Sequence, residues 1–237
     1  QVSLDNFRKI ITIGPPESVS RSFEPLVISL VIGLGNIGAE YDQTRHNVGF
    51  EILDRALTRL RAEPLATAEE YMAWRGQSQN GPVVLAKPRT YMNRSGTAVR
   101  ALLERFDLAP EEILVLVDDF NLPLGAVRIR TGGSDGGHNG LASIIGALGT
   151  ERFPRLRLGI GEPPAGADVS AYVLSPFTAE EQETIAAACE IAAEAVQAAC
   201  EKPLDIVMSR YNRNPASPEN DRPGEADDVK PNDHREV

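Results

Sequence analysis

Residues 26–54 read LVISLVIGLGNIGAEYDQTRHNVGFEILD. The first eight, Leu26 to Gly33, form an apolar, β-rich run of the length of one buried strand. A glycine-punctuated turn and the polar stretch Ala39 to Arg45 follow. From Asn47 to Leu60 the apolar residues Phe50, Leu53, Leu57 and Leu60 then recur at helical spacing. Strand, polar connection and helix recur further along. Short strands are predicted at Val83 to Ala86, Ile113 to Val117, Ala126 to Arg130 and Leu156 to Ile160, and helices at Ser95 to Phe106, Asn139 to Leu148 and Glu180 to Cys200. Thr178 and Glu181 make a capping box before the last helix, whose apolar stripe is Ile185, Cys189, Ala192, Val196 and Ala199. This alternation predicts a single globular α/β domain, with a mixed, mostly parallel sheet flanked by helices.

The chain has 237 residues, 42% hydrophobic and 24% charged, enough to build one sizeable core. No window holds the roughly eighteen consecutive apolar residues of a membrane span, and two cysteines are too few for a disulfide scaffold, so a cytoplasmic location is expected. Cys189 and Cys200 share one helix about 16 Å apart, cannot bridge each other, and read as small core residues. The net charge of -10 taken whole argues against a polyanionic partner. Its distribution reverses that argument, because residues 1–161 carry 18 acidic and 18 basic side chains, and residues 162–237 carry 16 and 6. Three regions are expected: a poorly ordered extension over 1–25, a catalytic domain over 26–211 and a disordered acidic tail over 212–237, rich in Pro and Asn with little to bury. Asp5, Glu17 and Glu24 do not suit a transit peptide.

The run Gly33-Leu34-Gly35-Asn36-Ile37-Gly38 is formally a dinucleotide fingerprint. That fold needs a helix opening inside the glycines and an acidic residue at the end of a second strand about twenty positions on. Here the helix starts near Asn47, and the position twenty on lies within it. The glycines instead fit a tight turn that presents Asn36 at the carboxyl edge of the sheet. His46 and His138 are the histidines outside the tail and hence the candidate bases near neutral pH. Their spacing matches no metal-ligand pattern, and no metal or cofactor is expected. Asp118 and Asp119 close the strand ILVLV, where open sheets place their sites, and Asp118, nearer the strand end, is the better partner to orient a histidine. At least one of the two acids is expected to be an ordinary solvated loop carboxylate.

The run TGGSDGGHNG, residues 131–140, lacks a P-loop ending but sets His138 and Asn139 at a helix N-terminus, a favourable place for an anion. Arginines surround it at 128, 130, 152, 155 and 157, and Arg128 and Arg130, two apart on a strand, point to one face suited to phosphates. No G-x-S-x-G marks a serine nucleophile.

Taken together, the segments 31–54, KPRTYMNRSGTAV (87–99), ILVLVDDFNLPLGAVRIRTGGSDGGHNGLASII (113–145), RLRLGIGEP (155–163) and YVLSPF (172–177) resemble the bacterial-type peptidyl-tRNA hydrolase family. The resemblance implies hydrolysis of the ester between a peptide and the 3′ ribose of tRNA, recycling tRNA after aborted translation. It implies a peptidyl-tRNA partner engaged at the acceptor stem and 3′ end by a monomer, with no membrane and no protein partner. Carried over position by position, His46 resembles the catalytic base and Asp118 the carboxylate that stabilises it. Asn36 resembles the residue that separates peptidyl-tRNA from free aminoacyl-tRNA. Tyr41, Tyr91, Asn93 and Asn139 match positions that contact the substrate, with Met92, His138, Arg128 and Arg130 as further candidates. Ile37 stands where the family usually has Pro, and Phe120-Asn121 is unusual after the acidic pair. Ester hydrolysis by water needs a base, a group that orients it and oxyanion donors. His46 and Asp118 supply the first two, and which of Asn36, Asn93 and Asn139 faces the oxyanion is left open. The rivals are a non-catalytic RNA-binding relative, whose expected mark is loss of the base or its partner, and a dinucleotide-dependent enzyme.

Overall fold

Leu30, Val31 and Ile32 are all fully buried, and because a strand points alternate side chains to opposite faces, they serve two cores. Val31 joins a cluster with Val48, Ile52 and Leu53, whereas Leu30 and Ile32 join Val99, Leu102 and Ile144. Helices therefore cover both faces of the sheet that contains this strand. The structure is a computed structural model that describes residues 27–65 and 67–212. The extension expected over 1–25, and the tail beyond Asn212, lie outside the described residues.

In chain order the elements are β1 (Leu30–Gly33), α1 (Val48–Arg59), β2 (Glu63–Pro64), β3 (Tyr71–Ser78), β4 (Gly81–Pro88), α2 (Ser95–Phe106), β5 (Ile113–Asp119), β6 (Val127–Arg130), α3 (Asn139–Leu148), β7 (Arg155–Gly159), α4 (Val169–Val173), α5 (Ala179–Glu201) and α6 (Leu204–Tyr211). One seven-stranded sheet runs β2-β3-β4-β1-β5-β7-β6. Its centre, β4-β1-β5-β7, is parallel, and β2, β3 and β6 add antiparallel edges. The expected mixed α/β sheet is thus present, with α1, α5 and α6 on one face and α2 and α3 on the other.

The helix ends follow their local chemistry. Thr178 N–H donates to Glu181 Oε2 at 2.8 Å, completing the capping box of α5. Gly149, at φ 68°, ends α3 in the left-handed conformation and returns its N–H to Ile145 O. Cys189 and Cys200 are free and buried on α5, and burial pushes both thiols up to about 12, which leaves them unreactive. Among the described residues no helix is long and apolar enough to cross a membrane.

The structure adds β2, β3, α4 and α6, which the hydrophobic pattern did not announce. It also moves one boundary. Asn212, assigned to the tail by composition, accepts the Ile129 N–H at 2.7 Å and donates to Ile129 O at 3.0 Å, so its amide pairs with edge strand β6 like one more residue of sheet.

Candidate active site

The carboxyl ends of β1 and β5 lie side by side, and α1 is pressed against them. A Cβ at Gly49 would stand 2.5 Å from both the Leu34 and Leu116 carbonyl oxygens, so only glycine lets the start of α1 sit this close. The close approach fixes a single 3-10 turn, Arg45–Asn47, over the sheet edge. Asn47 from that turn grips the glycine-rich turn after β1. Its Oδ1 accepts the Asn36 N–H at 2.8 Å and its Nδ2 donates to Asn36 O at 3.0 Å. Gly38, at φ 122°, turns the chain away immediately afterwards. The Asn36 side chain is oriented in its turn by the Met92 N–H, which donates to its Oδ1 at 2.8 Å and leaves Nδ2 as the presented group. Asn47 was not foreseen from the sequence, although it directly follows His46.

His46 and Asp118, 72 residues apart, meet at the centre of this edge. His46 Nδ1 donates to Asp118 Oδ1 at 2.8 Å, and His138 Nε2 donates to the same oxygen at 3.1 Å. The His138 tautomer follows from its neighbours. Its Nδ1 accepts the Gly140 and Leu141 N–H groups at 3.1 and 3.3 Å and so must carry the lone pair. These two N–H groups belong to the start of α3, so the imidazole already occupies the helix end expected to receive an anion. Burial alone would raise the Asp118 carboxyl, but the His138 and His46 imidazoles outweigh it and hold the group well below the usual carboxylate range. Asp119 is no solvated loop acid either: it is buried, ion-paired with Arg157, and accepts the Asn121 N–H at 2.8 Å.

His46, Asp118 and His138 are the three side chains that could hold a metal ion among the described residues, with ligand atoms within 4.8 Å of one another. The chemistry of the set opposes coordination, because the α3 backbone keeps the proton of His138 on the nitrogen that faces Asp118. A cation there would meet an N–H instead of a lone pair.

A cleft of about 540 Å³ opens over this cluster, and Asn36, Tyr91, Met92, Asn93, Arg130 and Asn139 join it in the lining. Met92 is buried, whereas Tyr91, Asn93 and Asn139 are exposed at the rim. Tyr41 and Arg128 do not line the cleft. Tyr41 sits in the preceding turn with its carbonyl on Thr44, and Arg128 reaches the Val127 carbonyl at 2.9 Å. The antiparallel register sets Arg128 opposite Arg157 and Arg130 opposite Arg155, which puts four arginines on one face of the β6-β7 pair. Arg155 is committed internally, donating to the Gly133, Ser134 and Glu151 carbonyls and stacking on Phe153, and it thereby ties down the glycine-rich loop. Arg45 performs a similar service on the other side. Buried between the Tyr172 and Phe177 rings at 4.5 and 4.7 Å, it pairs with Glu181 at 2.6 Å and joins the turn bearing His46 to the segment that carries α4.

Residues 30–219 match the model of a family described as peptidyl-tRNA hydrolase. The peptidyl-tRNA hydrolase of Aquifex aeolicus is 47% identical over 187 residues, covering 78% of this chain and 97% of that protein. That of Salinibacter ruber is 45% identical over 183 residues, 77% of this chain and 97% of the relative. The crystal structure of peptidyl-tRNA hydrolase from Acinetobacter baumannii superposes with a TM-score of 0.75 at 35% identity, covering 81% of this chain and 97% of that one. With a family model spanning most of its length and relatives this similar along nearly their whole sequences, the chain belongs to the peptidyl-tRNA hydrolase family.

Proposed function

We infer that this chain hydrolyses the ester between a peptide, or an N-blocked aminoacyl group, and the 3′ ribose of tRNA, releasing peptide and reusable tRNA. The observation that carries the mechanism is the His46–Asp118 pair at the floor of the cleft. With its Nδ1 proton committed to Asp118, His46 keeps the lone pair on Nε2 and acts as general base toward water. Asp118 fixes that tautomer and stabilises the imidazolium formed as water attacks the ester carbonyl. The proton then passes to the departing ribose oxygen. The Asn36 amide, presenting Nδ2, reads the peptide end without demanding charge, and the rim amides of Asn93 and Asn139 complete the neutral donor set around the reacting carbonyl.

Tyr91 and Met92 supply apolar contact at the 3′ end. The acceptor stem lies along the β6-β7 face, where exposed Arg130 stands at the cleft rim and Arg128 behind it. The enzyme acts as a cytoplasmic monomer, without metal or cofactor. His46→Ala tests the reading, using N-acetyl-aminoacyl-tRNA as substrate and filter binding of deacylated tRNA as control. Turnover should fall by about 10²- to 10⁴-fold with tRNA affinity retained, because general-base catalysis contributes that much. Near-normal turnover would overturn the assignment of the base.

A further inference from the structure

We propose that His138 is a positioning residue of the catalytic base, a fixed neutral donor to Asp118 that leaves His46 as the one imidazole of the pair free to carry the proton. The inference rests on the reading of His46 as the base.

Two imidazoles share a single carboxylate oxygen, with ring centroids 4.8 Å apart, both at least nine-tenths buried. Were both free to protonate, the site would have two competing bases, and the second charge would be repelled by the first. The fold removes that ambiguity. Protonating His138 would place a proton on Nδ1, the atom that faces the Gly140 and Leu141 N–H groups at the positive end of α3. His46 meets no such obstruction on Nε2. Its own ring nitrogen and that of His138 divide Asp118 Oδ1, so the neutral donor moderates the pull of the carboxylate on a protonated His46. The proton taken from water is thereby easier to hand on to the leaving ribose oxygen.

The other ionisable groups of the cleft are Asp119, paired with Arg157 across β5 and β7, Asp135, whose Oδ1 takes the Gly137 N–H, Arg130 on β6, Arg155 on its carbonyls, and Tyr91 at the rim. None of them is hydrogen-bonded to either ring, so Asp118 mediates the exchange between the two histidines.

The two jobs of His138 can be separated. Asparagine is a strong N-cap whose short side chain offers an acceptor to the α3 backbone but stops short of Asp118. Glutamine carries an N–H far enough out to reach Asp118 and caps poorly. His138→Asn should keep the α3 cap and the affinity for deacylated tRNA, melting lower only by the hydrogen bond it takes from buried Asp118. It should lose about ten- to hundredfold in kcat, the worth of one hydrogen bond to a charged group, with KM little changed. The acid limb of its kcat/KM profile should move to higher pH, since Asp118 Oδ1 then faces His46 undivided. His138→Gln should melt lower yet return the acid limb toward its wild-type position.

A wild-type kcat and acid limb in His138→Asn would overturn the proposal. So would a loss confined to KM, which would make His138 a substrate contact, or a loss confined to melting temperature, which would make it a helix cap alone. His46→Ala is run alongside. If that variant turns over normally, the base reading itself fails, whereas an inactive His46→Ala beside an unperturbed His138→Asn refutes the positioning role by itself.

Discussion

Replacing Asn47 by alanine tests whether Asn36 is held in place through its own backbone. The Asn47 amide makes hydrogen bonds of 2.8 and 3.0 Å to the N–H and C=O of Asn36, and the two residues are 4% and 8% exposed. Alanine leaves one donor and one acceptor buried without partners. Each such group costs about 1–3 kcal/mol, so the pair should cost about 2–4 kcal/mol once water claims part of the vacated space. A domain of this kind has only about 5–15 kcal/mol in total, so the loss is easily read from urea denaturation at fixed pH. The same turn presents Nδ2 of Asn36 to the cleft, and the second readout is chemical. The ratio of hydrolysis of N-acetyl-aminoacyl-tRNA to that of aminoacyl-tRNA should fall by about tenfold or more, since a displaced amide loses at least the worth of one hydrogen bond. Asn47→Asp should be worse than alanine, because it sets a buried carboxylate oxygen against the Asn36 carbonyl. Wild-type stability together with wild-type discrimination in Asn47→Ala would refute the reasoning. Lost stability with discrimination intact would refute its second half.

Asp118 links stability to acid. Its folded carboxyl titrates below the value of about 4 for an unfolded Asp, so the stability it adds is complete above that pH and is lost as pH falls toward the lower folded value. Asp118→Asn should flatten the drop in melting temperature between about pH 4 and 2, and an unchanged slope would show that other carboxylates set it. Arg130→Ala should weaken tRNA binding while leaving kcat in place, and lower the slope of log affinity against log salt by about one, as expected for one lost phosphate contact. Deletion of residues 213–237, net charge -3, should leave hydrolysis intact, whereas deletion from Asn212 should cost about 1–3 kcal/mol through the orphaned Ile129 groups. Equal melting temperatures for the two truncations would remove Asn212 from the fold.

The central strands were legible because their apolar runs are uninterrupted: LVIG in β1 and ILVLV in β5 bury every residue, and no helix could use such a segment at that length. Strand β3 was hidden for the opposite reason. Its buried positions Tyr71, Ala73, Gly76 and Ser78 include just one large side chain and change phase midway, so no period of two shows as hydrophobic contrast. Helix α4, five residues long, is too short to show a period at all. In the site, the sequence pointed to His46 and Asp118 separately, through residue type and place at a strand end. Nothing in it announced that His138, 20 positions beyond Asp118, would reach back to the same oxygen. Neither did it announce that Arg155 and Arg157, read as part of a phosphate-binding surface, would be engaged with the glycine-rich loop and with Asp119. Those partnerships join side chains to segments distant along the chain, through a loop path that no local pattern encodes.

Strands β1 and β5 are hydrogen-bonded neighbours whose pairing runs on through Leu34 and Leu116, and Asn36 and Asp118 emerge from their adjoining ends. The backbones that lead into the two groups are therefore set side by side at the interstrand spacing of about 4.8 Å, a dimension common to all sheets. The Asn47 amide then holds the turn that aims the Asn36 side chain. For an engineer the pocket divides accordingly into a floor anchored on paired strands and a rim, at Val169 and Leu174, whose side chains can be changed without re-spacing that floor.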